Sequence, residues 1–581
     1  MYRAQAEAAN SSQAGGTVAS KGRRIMIFTN GSRGDVQPFA ALGLAMQQAG
    51  FVVRVATNSN HVQFMRQFGI EVASTGLDVE KLLNAPEVRK SLEKGDIYKM
   101  CKLVEPETKR AFPGLLESKI REVEEWRPDV LIATPLEAFE VEAIAAARGI
   151  PSVLASLQIS LPSRDQPTMF GEPGCFPRRL LGTFVHWIFW STAMKPKYEE
   201  ILRQLPEASP FVPSSFRQQM LNQFHPIAPL LVGFSPSLYS PKADWTADAK
   251  RRVNCTGFWV VGKDEQMARM GSGDAMFGGD QPDDLANFLA AGPPPVYMGW
   301  GSMVGVSSSF MACLAVRSLM RANLRGVVLG GWAKLEPAGL EGQPDTPEML
   351  AFARENVLFV PSAPHEWLFP QCAAIVHHGG AGTTAASLRS GVPGVVTPFA
   401  FDQFDNASLV ADSGTGLRMR QFAKVTAADL AGALERCTTD RQLIAKARSV
   451  GEELRAEAGL SNAVRAVDEF IVREVDTGEW SRNLQRARRA PGCLAWLGRL
   501  CCSGRPNDYS VARASRGPPA GAAAAAPAAP TLLAGPPLKD LGRWRHEFLW
   551  ASQTGSEQMG SGRTPSWRPL VPSRRAKSIC F

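Results

Sequence analysis

The 581-residue sequence predicts an α/β protein made of two doubly wound, parallel-sheet halves. Three observations predict it. Short apolar runs alternate with helix-period segments from Arg24 to Ala155, which is the pattern of a parallel sheet covered by helices. The same alternation restarts at Asp283, after a joint at Ser235 to Pro241 that Pro236 and Pro241 bracket. In each half a glycine-bearing loop leaves a strand and enters a helix, and ligands of such sheets bind at those strand ends.

In the first half, Arg24 to Phe28 is a short apolar run, and Val36 to Ala49 has helical spacing with Phe39, Leu42 and Met46 on one face. Phe51 to Ala56 reads as strand, His61 to Phe68 as helix and Ile70 to Ser74 as strand. Asp129 to Ala133 is the next strand, Leu136 to Arg148 an Ala-rich helix, and Pro151 to Ala155 a strand. Residues 156–225 are irregular. Within them, Leu180 to Trp190 is an aromatic, apolar segment suited to a flat lipid ring system, or equally to burial as a helix. Gly257-Phe258-Trp259 and a polar loop from Asp264 to Gly279 complete the crossover. In the second half, Asp283 to Leu289 and Ser308 to Ala322 read as helices, and Val296 to Trp300 and Gly326 to Leu329 as strands. Ala373 to Val376 is strand, a helix opens at Thr383-Thr384, and Val392 to Thr397 is strand. Helices at 427–436 and 461–475 close this half.

Composition narrows the function. The net charge of +9 is misleading, because sixteen of the 64 Lys/Arg but four of the 55 Asp/Glu lie from Ser481 onward. The body is near neutral, which argues against a nucleic-acid enzyme, whose basic face should lie on its folded part. The ten cysteines form no zinc-spaced cluster and no disulfide framework, so a reduced, cytoplasmic setting is the expectation. No run of eighteen apolar residues exists to span a bilayer as a helix. The expected organisation is a loose leader at 1–22, a first half at 23–235, a crossover at 236–262, a second half at 263–476 and a basic, Ala/Pro/Arg-rich, disordered tail at 477–581, whose composition cannot bury a core. One tail segment, Cys493 to Cys502, is apolar and Arg-flanked. It reads first as a bare hydrophobic stretch, and second as a membrane-touching patch acylated at Cys501 or Cys502.

The most informative stretch is residues 375–411. Ile375-Val-His-His-Gly-Gly-Ala-Gly-Thr-Thr384 places a glycine turn between strand and helix, and a second strand then leads to Asp402-Gln403 and Asn406. A glycine turn at a helix amino terminus gathers unpaired N–H groups and the positive end of the dipole, which suits a diphosphate. An acid–amide pair suits the hydroxyls of a sugar. The earlier loop, Thr29-Asn-Gly-Ser-Arg-Gly-Asp-Val-Gln-Pro38, carries Asp35 at a strand-to-helix turn. Asp35 there is either a helix N-cap or a base facing the cleft.

The 375–411 block resembles the donor-binding motif of the UDP-dependent glycosyltransferases, in the form found in sterol 3-beta-glucosyltransferases. Gly31 to Pro38 resembles the amino-terminal signature of the same enzymes. The resemblance runs from about Arg24 to Val472 and includes Ser235 to Trp245, Ala291 to Met303 and Val360 to Pro370. It implies the GT-B fold, with an acceptor-binding amino half and a UDP-sugar-binding carboxyl half. It implies Asp35 as the catalytic base, with Gly31 and Ser32 beside the donor. Gly301 and Ser302 would offer an N–H and a hydroxyl to the phosphates, and the backbone at Ala363 and His365 would read uracil. His378 would contact the diphosphate, Gly380, Gly382 and Thr383 would hold it, and Asp402 and Gln403 would bond the glucose. His377 is expected to pack. Two departures stand out: Ala386 occupies the position near which plant members carry a ribose-binding Glu, and Phe401 replaces the glycine expected before Asp-Gln.

The expected activity is therefore inverting transfer of glucose from UDP-glucose to a sterol or similar lipid alcohol. No cofactor and no metal are expected, since no Asp-x-Asp motif interrupts the donor region. The expected partners are UDP-glucose, the acceptor and, peripherally, a membrane surface. The alternatives are transfer to another hydrophobic acceptor, such as a polyketide or phenol, and a catalytically idle protein that binds lipid or UDP-sugar.

Overall fold

Runs such as Val130-Leu-Ile-Ala133 and Val296-Tyr-Met-Gly299 contain no charge and are buried throughout, as strands covered on both faces must be. In a computed structural model of the chain, the thirteen strands among the described residues form two all-parallel sheets. The structure describes residues 18–489 except 77, 84, 94–96, 159–190, 192–194, 210–211, 213–228, 240–252 and 280–281. Of two compact units, Met1–Ser503 and Gly504–Phe581, all described residues lie in the first. The aromatic segment Leu180 to Trp190 and the Cys493 to Cys502 patch fall outside the described residues.

The first sheet contains β1 (Arg24–Phe28), β2 (Val52–Thr57), β3 (Glu71–Ser74), β4 (Val130–Ala133), β5 (Ser152–Ser156), β6 (Leu230–Val232) and β7 (Val253–Cys255). Its order is β3-β2-β1-β4-β5-β6-β7. The second contains β8 (Val296–Gly299), β9 (Gly326–Leu329), β10 (Val357–Val360), β11 (Ala374–His377), β12 (Gly394–Val396) and β13 (Gly416–Arg418), in the order β10-β9-β8-β11-β12-β13. Strand order reverses between β1 and β4 in one sheet and between β8 and β11 in the other. Crevices at the carboxyl ends of strands open at such reversals. The helices that matter below are α1 (Arg33–Ala49), α2 (Ile97–Trp126), α3 (Ala138–Arg148), α4 (Lys263–Gly271), α5 (Ser308–Ala322), α6 (Ala381–Ser390), α7 (Gln403–Asp412), α8 (Gly459–Phe470) and α9 (Glu479–Arg489).

Several expectations need correction. The first half of the polar loop expected from Asp264 to Gly279 is α4, which takes Asp264 and Glu265 in its first turn, where the dipole favours acids. Helix α6 opens at Ala381 with Gly380 as its cap, ahead of Thr383. The tail expected from residue 477 begins with α9, which buries Trp480 and Leu484 in the core of the first sheet beside Phe39, Val464 and Phe470. The last residues of the expected leader are held too: Ser20 N donates to Asp468 Oδ1 at 2.9 Å, and Gly22 N to the Gly50 carbonyl at 2.8 Å. The assignment of residues up to 476 to the second half also shifts, because α8 packs its Ala463, Val464 and Val467 into that same first-sheet core. The return crosses the β7 exit so closely that a Cβ on Gly257 would lie 2.8 Å from the Gly459 Cα.

Candidate active site

The base loop starts where β1 ends. Thr29 is fully buried, and Gly31 takes φ +124°, a conformation that favours glycine. A Cβ at Gly31 would also stand 2.5 Å from Asp35 Oδ2. Ser32, and not Asp35, caps α1, so the expected N-cap role of Asp35 is corrected. Asp35 occupies the third helical position and reaches back: its Oδ2 accepts from Ser32 N at 2.7 Å and from Ser32 Oγ at 2.9 Å. This is the reciprocal half of a capping box. Both bonds fall on Oδ2, which leaves Oδ1 for a substrate hydroxyl. Asp35 remains open to water. The surrounding protein mass raises its pKa, and the two Ser32 bonds pull it back. Buried His61, kept neutral by desolvation, bonds the Gly31 backbone and so steadies the loop.

The neighbouring strand ends complete this side. Thr134 N donates to the Phe28 carbonyl at 3.0 Å, which sets the β4 exit beside the base loop. That exit exposes Leu136 and buries Glu137 in an ion pair with Lys119. The β5 exit supplies Gln158, whose side chain bonds Asp402 of the other half.

On the second sheet, the exits of β8 and β11 interlock. Gly301 takes φ +58°, and a Cβ there would lie 3.1 Å from His378 Cε1. A Cβ on Gly380 would collide with His378 Nε2. The His378 ring therefore sits between two glycines that must stay bare. Burial lowers its pKa to about 4, so it is a neutral imidazole at pH 7, and its Nδ1 has no partner among the described residues. His377, fully buried, is lowered to about 3 by desolvation and accepts the Gly379 N–H at Nδ1, 3.1 Å. Ser302 follows Gly301 in the β8 turn, and Gly382 and Thr383 lie in the first turn of α6, whose amides have no carbonyl one turn back.

The remaining expected residues fall around the same rim. Ala363 is buried beyond β10. The His365 ring stacks on Phe369 at 4.4 Å and meets the Tyr297 hydroxyl at 3.1 Å. Desolvation drops its pKa to about 3, with Arg33 adding to the effect. Its side chain thus belongs to the core, and only its backbone is left to face a ligand. Gln403 is also committed: its Oε1 accepts from Phe399 N at 2.8 Å and Ala400 N at 3.3 Å, and its Nε2 reaches Met303 Sδ at 3.3 Å. The side chain that the resemblance assigns to sugar hydroxyls here holds its own loop in shape. Phe401 takes φ +55°. The glycine expected there is the residue that this backbone favours, and Phe holds the same conformation at a cost of about 1–2 kcal/mol. The following Asp402 is pushed up to about 7, first by burial and then by the charge of Asp35.

The two rims face one another. A Cβ on Gly382 would lie 3.6 Å from the Gly34 carbonyl, so the α6 turn approaches the α1 turn. Arg33 reaches across to donate to the Met276 carbonyl at 2.7 Å, and its guanidinium lies 5.0 Å from the Phe277 ring. Asp35, Asp402 and the Gly379 to Thr383 turn are brought into one cleft. Arg33, His61 and Gln158 belong to it without having been singled out from the sequence. Arg33 lies inside the quoted signature, whereas His61 and Gln158 carry no linear signal. Among the described residues, no group of three or more His, Cys, Asp or Glu is arranged to hold a metal ion.

The chain is similar to several known proteins. Residues 344–469 match the family described as "Erythromycin biosynthesis protein CIII-like, C-terminal domain". The chain is 30% identical over 461 residues to a sterol 3-beta-glucosyltransferase of Sclerotinia sclerotiorum, covering 76% of this chain and 29% of the relative. It is 30% identical over 481 residues to the enzyme of that name from Yarrowia lipolytica, covering 80% and 29%. The chain thus matches under a third of the length of these relatives. Among solved structures it is similar to the glycosyltransferase of kitacinnamycin (TM-score 0.54, 21% identity, 77% of this chain and 99% of that one). It is also similar to the calicheamicin glycosyltransferase CalG4 (TM-score 0.52, 16% identity, 78% and 99%). These two likenesses establish the GT-B fold.

Proposed function

The chain belongs to the UDP-dependent glycosyltransferases, in their sterol 3-beta-glucosyltransferase-like form, and from that premise we propose an inverting enzyme that moves glucose from UDP-glucose to the hydroxyl of a sterol or similar lipid alcohol. The observation that carries the proposal is the opposition of Asp35 to Asp402 and the α6 turn across one cleft. Asp35 Oδ1 takes the proton of the acceptor hydroxyl as its oxygen attacks the anomeric carbon. The bond from that carbon to the diphosphate oxygen breaks on the opposite face, and UDP departs. A base with a raised pKa is better matched to this task than a free carboxylate near 3.9.

Charge grows on the departing diphosphate. The amides of Gly380 to Thr383, the positive end of α6 and neutral His378 stand ready to stabilise it. These groups do the work that a divalent ion does elsewhere, so turnover needs no metal. Asp402 and the exposed Leu136 border the sugar and the acceptor respectively. No helix among the described residues is long and apolar enough to cross a membrane. A lipid acceptor would be drawn from a membrane surface, toward which the basic residues beyond Ser481 favour peripheral attraction, at about 1 kcal/mol for each residue near an anionic leaflet.

The test is incubation of the full chain with a panel of UDP-sugars and with sterol, phenolic and polyketide acceptors, with products read by mass spectrometry. A glucosylated sterol formed from UDP-glucose is expected. UDP-glucose binding without transfer to any acceptor would overturn the enzymatic reading, and transfer confined to phenols would overturn the lipid acceptor.

A further inference from the structure

Asn406 lies on the first turns of α7, is buried, and directs its amide away from solvent. Its Nδ2 donates to the Gly379 carbonyl at 2.7 Å and, more weakly, to Asp402 Oδ2 at 3.4 Å. One side-chain amide therefore touches both the diphosphate turn and the carboxylate at the sugar end of the cleft.

Gly379 is held at its other end as well. Its N–H donates to His377 Nδ1 at 3.1 Å, and that nitrogen is free to accept because burial keeps the imidazole neutral. The His377 carbonyl in turn accepts from Thr397 N at 2.9 Å, and Thr397 Oγ1 accepts from Trp300 Nε1 at 2.9 Å. Gly379 has φ +93°, and any Cβ there would lie 2.8 Å from Val396 Cγ1 and 2.9 Å from the Gln403 carbonyl. Both faces of this residue are thus clamped by the β8, β12 and α7 segments.

The clamp has a directional consequence. No peptide bond in the described chain is cis. In a trans peptide the carbonyl of one residue and the N–H of the next point in opposite directions. With the Gly379 carbonyl turned toward Asn406, the Gly380 N–H is turned away from α7, toward the open turn where a diphosphate would lie. We propose that Asn406 is a positioning residue for nucleotide-sugar binding: it fixes the Gly379–Gly380 peptide so that the Gly380 N–H is presented to the diphosphate, and it ties Asp402 to the same frame. This rests on the UDP-sugar reading of the cleft.

The experiment is calorimetric titration of the full chain with uridine, UDP and UDP-glucose, comparing wild type with Asn406→Ala and Asn406→Asp. Asn406→Asp keeps the shape but presents a carboxylate, which cannot donate to a carbonyl and repels Asp402. Both variants are expected to bind UDP about ten-fold more weakly, the effect of about 1.4 kcal/mol. UDP-glucose should weaken at least as much, while uridine affinity and the KM for acceptor stay within two-fold. General loosening of the pocket would weaken uridine in proportion, and that result overturns the proposal. So does UDP binding in both variants within two-fold of wild type, or loss of a cooperative melt in both, which would make Asn406 a folding residue. If wild type itself binds neither uridine nor UDP, the UDP-sugar reading fails first, and the proposal with it.

Discussion

Ending the chain after Gly478 removes α9, and the packing of that helix shows what its loss uncovers. Trp480 and Leu484 are one helical turn apart, 2% and 4% exposed, and packed against Phe39, Val464 and Phe470. Truncating a buried Trp to Ala costs about 3–5 kcal/mol and a buried Leu about 2–5 kcal/mol. The two are neighbours, so their effects overlap, and about 5 kcal/mol is the expected loss. Total stability of a folded protein is only about 5–15 kcal/mol. A chain ending at Gly478 should therefore melt far lower or fail to fold, whereas one ending at Arg489 should melt like the full chain. A finer variant separates packing from polarity. Trp480 Nε1 is buried without a partner among the described residues, a penalty of about 1–3 kcal/mol. Trp480→Phe keeps most of the ring contact and removes that N–H, so it should lie within about 1 kcal/mol of wild type, while Trp480→Ala should not. Thermal and urea melts of the four proteins decide the matter. Equal midpoints for the Gly478 and Arg489 truncations would refute the reasoning.

Four further outcomes are expected. Asp35→Asn should lose roughly 10²–10⁴ in turnover with little change in melting, because Asn can still accept the Ser32 N–H; Asp35→Ala should lose the same turnover and also about 1 kcal/mol, because the bonds it accepts from Ser32 are gone. Turnover of UDP-glucose by Asp35→Asn near the wild-type rate would move the base elsewhere. Asp402, raised to about 7, is held more tightly protonated in the folded chain than in the unfolded one, so its contribution is full below about pH 4 and lost as pH rises through 7. The stability gained by Asp402→Asn should accordingly widen between about pH 5 and pH 8, by no more than about 1.4 kcal/mol per pH unit, and a pH-independent gap in urea melts would contradict the burial of this carboxyl. Because Phe401 sits at φ +55°, Phe401→Gly should be more stable than Phe401→Ala by about 1 kcal/mol, and the reverse order in melting would show that the left-handed turn is not formed. Treatment with EDTA should leave UDP-glucose turnover intact, and activity restored only by magnesium or manganese would show that the α6 turn does not suffice for the diphosphate.

What the sequence disclosed follows from range. Strands such as Arg24–Phe28 and Gly326–Leu329 and the helix Ser308–Ala322 match their expected bounds, because apolar period alone defines them. The glycine turn at 379–382 was legible for the same reason, since strand, bare turn and helix are adjacent in the chain. Helix α2 escaped notice because Pro106 and Pro113 interrupt its pattern, yet packing along its 30 residues carries the helix through both. Helix α9 was hidden by its arginines; the Trp480–Leu484 spacing was the one available signal. The cleft itself was out of reach. Arg33 meets Met276 across 243 positions, and Asp402 feels Asp35 and Gln158 from the other half. Spacing within a motif cannot report such pairs. The use of Gln403 as a loop brace is likewise a matter of where the Phe399 and Ala400 amides point.

The return of α8 and α9 to the first sheet has a consequence for how the protein is made. The Ser20 amide finds its Asp468 partner 448 residues later, and the core around β1 is not closed until Leu484 has emerged. At roughly 5–20 residues per second of synthesis, the amino half waits roughly 20–90 s on the ribosome with an apolar face uncovered. Closing contacts across such a separation is intrinsically slow. The second sheet, whose strands lie between Val296 and Arg418, has its pairing partners complete well before then. The half that is translated first is therefore the half that finishes folding last, and it is the one that nascent-chain chaperones have most time to meet.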